Sequence, residues 1–276
     1  MVNLFEIDEL IKKALSEDIN YLDLTTEAII DKNMKSSAEL ISKQCGIIAG
    51  TFVFKRVFDI LGNVECSINL DEGSFVKKGD VICTLYGSTK NILIGERTAL
   101  NFIQRMSGIA TTTWQFVKEL EGTRTKLLDT RKTTPTLRIL EKYSTNIGGA
   151  LNHRFNLSDG ILIKDNHIKA AGSIKKAVEM VKFKYGNLKK IEVEVETIDM
   201  VKECLECGVD IIMLDNMNIE DIKKAVSIIN GKALIEVSGN VTLENIREIA
   251  ETNVDFISTG YITHSYKSLD LSLKIV

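Results

Sequence analysis

Ile191-Glu192-Val193-Glu194-Val195, Asp210-Ile211-Ile212-Met213-Leu214-Asp215, Ala233-Leu234-Ile235-Glu236-Val237-Ser238 and Asp255-Phe256-Ile257-Ser258-Thr259 decide the fold of this chain. Each is a short apolar run bounded by helical patterns, at about 198–207, 218–229 and 242–252. Two earlier runs, Lys126-Asp129 and Ile161-Lys164, repeat the motif, with helical patterns at about 137–145 and 173–184. Strands alternating with amphipathic helices mean βα units around a parallel sheet. Every run closes on a polar residue: Asp129, Lys164, Glu194, Asp215, Ser238 and Thr259. The last four are 21, 23 and 21 positions apart. Charges that merely face solvent would scatter along the elements. In a parallel barrel the C-terminal strand ends meet on one face, where such folds place their chemistry. The expectation is an open, TIM-like βα barrel of fewer than eight strands with its active site at the strand tops.

Upstream the pattern differs. Leu4, Ile7, Leu10, Ile11 and Ala14 recur at helical spacing, and Asp23-Leu24-Thr25-Thr26 breaks the run. Short strands follow at Ala38-Ile41, Gly46-Ala49, Val64-Ile68 and Val81-Leu85, with a helix from about Phe52 to Leu61. A long helical stretch, about Ile92 to Leu120, connects this part to the barrel. The chain is therefore expected to be α/β in class. An N-terminal α+β sandwich domain covers 1–106 and a βα barrel covers 107–276, the final ten or so residues returning to the N-terminal domain. Asp71-Glu72-Gly73-Ser74-Phe75-Val76-Lys77-Lys78-Gly79-Asp80 resembles the turn-and-strand passage of lipoyl and biotinyl domains. It has no lysine at a suitable hairpin tip, so it reads as scaffold rather than as a carrier.

The chain has 276 residues, 44% hydrophobic and 26% charged, which suffices for one large core or two unequal ones. Its acidic, amphipathic start does not read as a signal or transit peptide. Apolar runs such as Ile211-Ile212-Met213-Leu214 fall far short of the ~20 residues that cross a bilayer. A cytoplasmic protein with no membrane partner is the expectation. The five cysteines form no disulfide framework. Cys204-Leu205-Glu206-Cys207 lies at the end of a helical pattern, whereas redox pairs sit at helix N-termini, so these cysteines read as structural.

A net charge of −3 hides a basic segment. From Arg124 to Lys169 nine Lys and Arg stand against four acids. Five groups near the predicted barrel mouth, Arg131, Lys132, His153, Arg154 and Lys164, suit a substrate with several negative charges, since Arg forks bind carboxylates and phosphates in bidentate fashion. Surface salt bridges are the plainer reading, but few acids lie nearby. Glu194 and Asp215, on successive strands, suit a magnesium ion or acid–base catalysis. Ser238-Gly239-Asn240, opening a helix near Thr242, and Ser258-Thr259-Gly260 suit a phosphate, because small residues let backbone N–H groups approach it. A protein that only binds anions or nucleic acid would explain the basic cluster, but not these carboxylates and loops on the same face.

The chain also resembles the type II quinolinate phosphoribosyltransferases, nearly end to end. The matching stretches are Glu17-Asp18-Ile19 with Asp23-Leu24-Thr25-Thr26; Glu96-Arg97-Thr98-Ala99-Leu100-Asn101-Phe102; Asp129-Thr130-Arg131-Lys132-Thr133-Thr134-Pro135; and Gly148-Gly149-Ala150-Leu151-Asn152-His153-Arg154. They continue with Leu162-Ile163-Lys164-Asp165-Asn166-His167, Glu192-Val193-Glu194-Val195 and Leu214-Asp215-Asn216. Ala150 and Phe155-Asn156 depart from the usual glycines. The resemblance implies an enzyme of de novo NAD biosynthesis that joins quinolinate to phosphoribosyl pyrophosphate with loss of CO2 and pyrophosphate. A paralogue acting on a related acid, of the type associated with molybdenum transport, is the alternative. By resemblance, Arg131, His153, Arg154 and Lys164 hold the two carboxylates of quinolinate, and Arg97 completes the pocket from a partner subunit. Lys132 meets the pyrophosphate, and Glu194 and Asp215 bind magnesium or the ribose hydroxyls. Ser238, Gly239, Asn240 and Gly260 cradle the 5-phosphate, with Ser258 and Thr259 beside them. Lys132, Lys164, Glu194 and Asp215 are the implied catalytic groups. The implied assembly is a homodimer or a hexamer built from dimers, with no nucleic-acid partner.

Overall fold

The computed structural model describes residues 3–186 and 188–276. The first elements are α1 (Leu4–Asp18), α2 (Leu24–Ile29), β1 (Lys35–Ser42), β2 (Gly46–Ile47), α3 (Thr51–Leu61), β3 (Val64–Ile68), β4 (Phe75–Val76), β5 (Val81–Ser88) and α4 (Thr89–Glu119). Then come β6 (Lys126–Leu128), α5 (Arg138–Ile147), β7 (Ile161–Ile163), α6 (Asp165–Ala171), α7 (Ile174–Tyr185), β8 (Ile191–Val195) and α8 (Ile198–Cys207). The last are β9 (Ile211–Asp215), α9 (Ile219–Ile229), β10 (Leu234–Ser238), α10 (Ile246–Ala250), β11 (Phe256–Ser258), α11 (Tyr261–His264) and β12 (Leu271–Ile275). None of the described helices is long and apolar enough to cross a membrane.

The chain forms two compact units. One holds the residues up to Trp114 together with Ile139–Gly148 and Tyr266–Val276; the other holds Gln115–Arg138 and Gly149–Ser265. This differs from the sequence-level boundary between 106 and 107. The reason is that α5 supplies polar anchors to the first unit. Arg105 Nε donates to Glu141 Oε1 at 3.2 Å, and Glu141 is fully buried. The Tyr143 hydroxyl donates to Glu72 at 3.0 Å, and its ring meets Phe52 edge-on at 5.0 Å. A buried acid cannot leave its partner cheaply. Arg105→Ala is therefore expected to destabilise the protein by about 3–5 kcal/mol, read by urea unfolding. A change below about 1 kcal/mol would mean that the pair is not what ties α5 in.

In the first unit a four-stranded antiparallel sheet has the order β12-β1-β5-β3, and β2 pairs with β4. The strand β12, which the sequence pattern does not mark, pairs with β1 from Ala38↔Ile275 to Ser42↔Leu271. Asp23 does more than break a pattern: its carboxylate accepts the N–H groups of Thr25 and Thr26 and starts α2. Glu72, in the carrier-like passage, likewise accepts from Gly50 N–H at 2.8 Å and Thr51 N–H at 2.5 Å and fixes the start of α3.

In the second unit six parallel strands run in the order β6-β11-β10-β9-β8-β7. The sheet is open between β7 and β6. Its helices pack Val201, Ile222, Ala225 and Ile246 onto Val193, Val195, Ile212, Leu214, Val237 and Ile257, all buried. This apolar shell consumes one side of each strand. The alternate positions point inward, which is what lets polar residues gather there. The short helices α6 and α11 add to the expected pattern, and the helix expected at 242–252 shrinks to α10. Cys204 is buried on α8, and burial pushes its thiol up to about 12, which leaves it no thiolate near neutral pH.

Candidate active site

A cavity of about 700 Å³ opens at the strand tops of the second unit. Among the residues lining it are Arg131, Lys132, His153, Arg154, Lys164, Glu194, Asp215, Ser238, Gly239, Asn240 and Ser258. The parallel register explains the meeting. Ser238 lies beside Asp215, and Glu194 stands one strand away from Asp215 on β8. The residues arrive from six strand ends, so no local sequence window contains the site.

The cations are unequally partnered. Lys164 Nζ lies 2.5 Å from Glu194 Oε2. Arg154 Nη1 donates to the Gly160 carbonyl at 2.9 Å. Burial, and then the neighbouring Arg131 charge, lower the Arg154 pKa. Arg131 Nε is buried with no hydrogen-bond partner among the described residues. Two guanidinium groups lining one cavity, one with an unused donor, suit an anion there. Lys132 is exposed; its N–H donates to the Thr130 hydroxyl at 3.0 Å, and its carbonyl accepts from the Thr263 hydroxyl at 2.8 Å. Opposite them, burial and the nearby charge of Glu194 raise the Asp215 pKa. A cation placed between the two carboxylates would reverse that shift, so the pair fits a hard divalent ion.

The loop after β10 has a specific construction. Gly239 sits at φ +91°, and a Cβ there would fall 2.3 Å from Asn216 Oδ1, so only glycine fits. Asn240 also has positive φ, and its amide donates to Asn216 Oδ1 at 3.0 Å. The Asn216 amide in turn donates to Asp215 Oδ2 at 2.9 Å. Asn216 thus ties the carboxylate on β9 to the loop after β10, a role that its place in the motif does not announce.

Two expectations change. The helix expected to start near Thr242 begins at Ile246, and in the turn before it Thr242 N–H donates to the Asn245 side chain at 2.8 Å. Thr259 and Gly260 do not line the cavity. Thr259 is buried with its hydroxyl toward the Val241 carbonyl, while a Cβ on Gly260 would meet Lys132 Cδ at 2.7 Å. Gly260 leaves room for the Lys132 side chain. Arg97 is exposed on α4 in the first unit and does not line this cavity. In the other direction, sequence reasoning passes over Thr130, Asn216 and Glu236 as lining residues. Glu236 is detectable as a charge at an inward position of an otherwise apolar strand.

The model of the C-terminal domain of quinolinate phosphoribosyl transferase matches residues 109–274, and that of its N-terminal domain matches 23–107. The chain belongs to the quinolinate phosphoribosyltransferase family. It is 41% identical to the probable carboxylating nicotinate-nucleotide pyrophosphorylase of Bacillus subtilis, over 99% of this chain and 95% of that one. It is 43% identical to a protein of the same description from Archaeoglobus fulgidus, over 93% of this chain and 99% of that one. Among solved structures, NadC from Streptococcus pyogenes superposes with a TM-score of 0.96 at 42% identity, covering 100% of this chain and 99% of that one. Membership in the quinolinate phosphoribosyltransferase family extends through both units, not the barrel alone.

Proposed function

We propose that the chain is a quinolinate phosphoribosyltransferase of NAD biosynthesis, making nicotinate mononucleotide, CO2 and pyrophosphate from quinolinate and phosphoribosyl pyrophosphate. The observation that carries this reading is a single cavity combining two guanidiniums, two lysines, the Glu194 and Asp215 carboxylates and a glycine loop. Arg131, Arg154 and Lys164 bind the dicarboxylate, and Lys132 meets the pyrophosphate. The Ser238-Gly239-Asn240 loop receives the 5-phosphate. Glu194 and Asp215 would hold magnesium or the ribose hydroxyls, and the ion would neutralise the departing pyrophosphate. These residues stabilise charge rather than form a covalent bond: as pyrophosphate leaves, the carboxylates face a developing ribosyl cation. The cations keep the pyridine nitrogen aimed at that centre. Ring nitrogen alkylation then eases loss of the adjacent carboxylate. Incubation of the protein with quinolinate, phosphoribosyl pyrophosphate and magnesium should yield nicotinate mononucleotide. Its absence would overturn the reading.

The working unit we propose is a homodimer in the cytoplasm, with Arg97 serving the partner's cavity; its exposed position, with no ion pair among the described residues, supports this. Arg97→Ala and Lys164→Ala chains, each inactive alone, should regain about a quarter of wild-type activity when refolded together, since random pairing makes about half the dimers mixed and each has one intact site. A mixture as inactive as its components, with mixed dimers formed, would place Arg97 in its own chain's service.

A further inference from the structure

Below the ring of cations lies a layer of acids that the functional assignment leaves unused. Glu192 on β8 and Glu236 on β10 face inward, one pleat beneath Glu194 and Ser238. They are 5% and 1% exposed. His153 Nε2 stands 3.0 Å from Glu192 Oε2 and 3.7 Å from Glu236 Oε2. On the other side of the ring, Nδ1 accepts the Arg154 backbone N–H at 2.8 Å. A ring nitrogen that accepts carries no proton, so in the neutral imidazole the proton sits on Nε2 and is donated to Glu192.

That tautomer decides between two uses of the cluster. The ligand atoms of His153, Glu192 and Glu236 all lie within 4.8 Å of one another, close enough to surround a metal ion. A metal-bound histidine, however, donates from its second nitrogen to an acceptor. Here the second nitrogen faces a donor, and Nε2 is spent on Glu192. The cluster is instead the anchor of a loop. The His153 N–H donates to Asp129 Oδ1 at 2.9 Å, and the Asn152 amide donates to Asp129 Oδ2 at 2.6 Å. Residues 152–154 thus rest on three buried carboxylates, Asp129, Glu192 and Glu236.

We propose that Glu192 and Glu236 are positioning residues for the pyridine dicarboxylate: through His153 they fix the loop that presents Arg154 beside Arg131, and so set affinity for the acid but not for the phosphoribosyl donor. The inference rests on reading the cavity as the quinolinate site. Burial, and then the charge of Glu192, push the Glu236 carboxyl well above the usual carboxylate range. Glu236 in its neutral form adds no second charge beside the Glu192 oxygen that faces His153 Nε2, and Oε1 of each acid is buried with no hydrogen-bond partner among the described residues. His153, set between the two acids, holds the loop that carries one of two mutually repelling guanidiniums.

The test compares Glu236→Gln with Glu236→Leu. Glutamine keeps a neutral polar group of the same shape beside His153 and Glu192; leucine does not. Glu236→Leu should raise KM for quinolinate at least about tenfold, with KM for phosphoribosyl pyrophosphate moving less than about threefold, and Glu236→Gln should stay within about threefold on both. Equal losses in the two variants, or an equal rise in both KM values, would overturn the proposal. A second measurement needs no turnover and so separates failure of this inference from failure of the functional reading. In ¹⁵N NMR of the wild-type protein, the ring of His153, one of three histidines, should carry its proton on Nε2 with Nδ1 bare. A proton on Nδ1 would overturn the anchor even if quinolinate is the substrate.

Discussion

Lys164→Ala should lower kcat/KM for quinolinate by about 10³-fold or more and leave the thermal transition nearly unmoved. Lys164 ends β7 at the cavity mouth, with 43% of its side chain exposed. Its ion pair with Glu194 is therefore partly screened and contributes only about 0–1 kcal/mol to folding. The functional loss is larger for two reasons. A cation facing the substrate carboxylates disappears, and Glu194 loses the partner that holds one of its oxygens at 2.5 Å. Glu194 and Asp215 then repel each other with less compensation, at the moment when both must serve the phosphoribosyl donor. Steady-state assays of product formation, with a melting curve of the same preparation, check this. A variant that melts far below wild type would make the lysine a structural residue. A folded variant with wild-type rates would remove it from the site.

The second large effect is discrimination between quinolinate and nicotinate, which differ by one carboxylate. Arg131 and Arg154 line the same cavity, where Arg154 feels the charge of Arg131, and Arg131 Nε has no hydrogen-bond partner among the described residues. Nicotinate would leave part of this donor set unpaired in a partly desolvated cavity. A site built to pair such groups rejects the analogue lacking them by about 10⁴-fold in kcat/KM. Competition kinetics with both acids and a common phosphoribosyl donor measure the ratio. Comparable values for the two would contradict the assignment of these arginines to the second carboxylate.

Much of the barrel is legible in the sequence itself. The runs Ile191–Val195, Ile211–Asp215 and Leu234–Ser238 are too short and too apolar to be anything but interior strands, and their helices carry clean apolar faces. Their polar ends therefore point to one face, and eleven of the fourteen candidate site residues line one cavity there. Hydrophobic periodicity suffices for this because strand direction alone brings parallel strand ends together.

What the sequence does not decide is whatever depends on the distance between side chains far apart in the chain. Nothing local says that α5 belongs with the first unit; the buried Arg105–Glu141 pair, 36 residues apart, decides it. Nothing local says that Gly260 yields space to Lys132, or that Gly239 is required because Asn216 approaches its α-carbon. Glu192 and Glu236 are visible as charges inside apolar strands, yet their meaning comes only from His153, 39 and 83 positions away from them in sequence but within 3.7 Å in space. A charge becomes an anchor, a ligand or a catalyst through the partner that packing brings to it, and packing is a property of the whole chain.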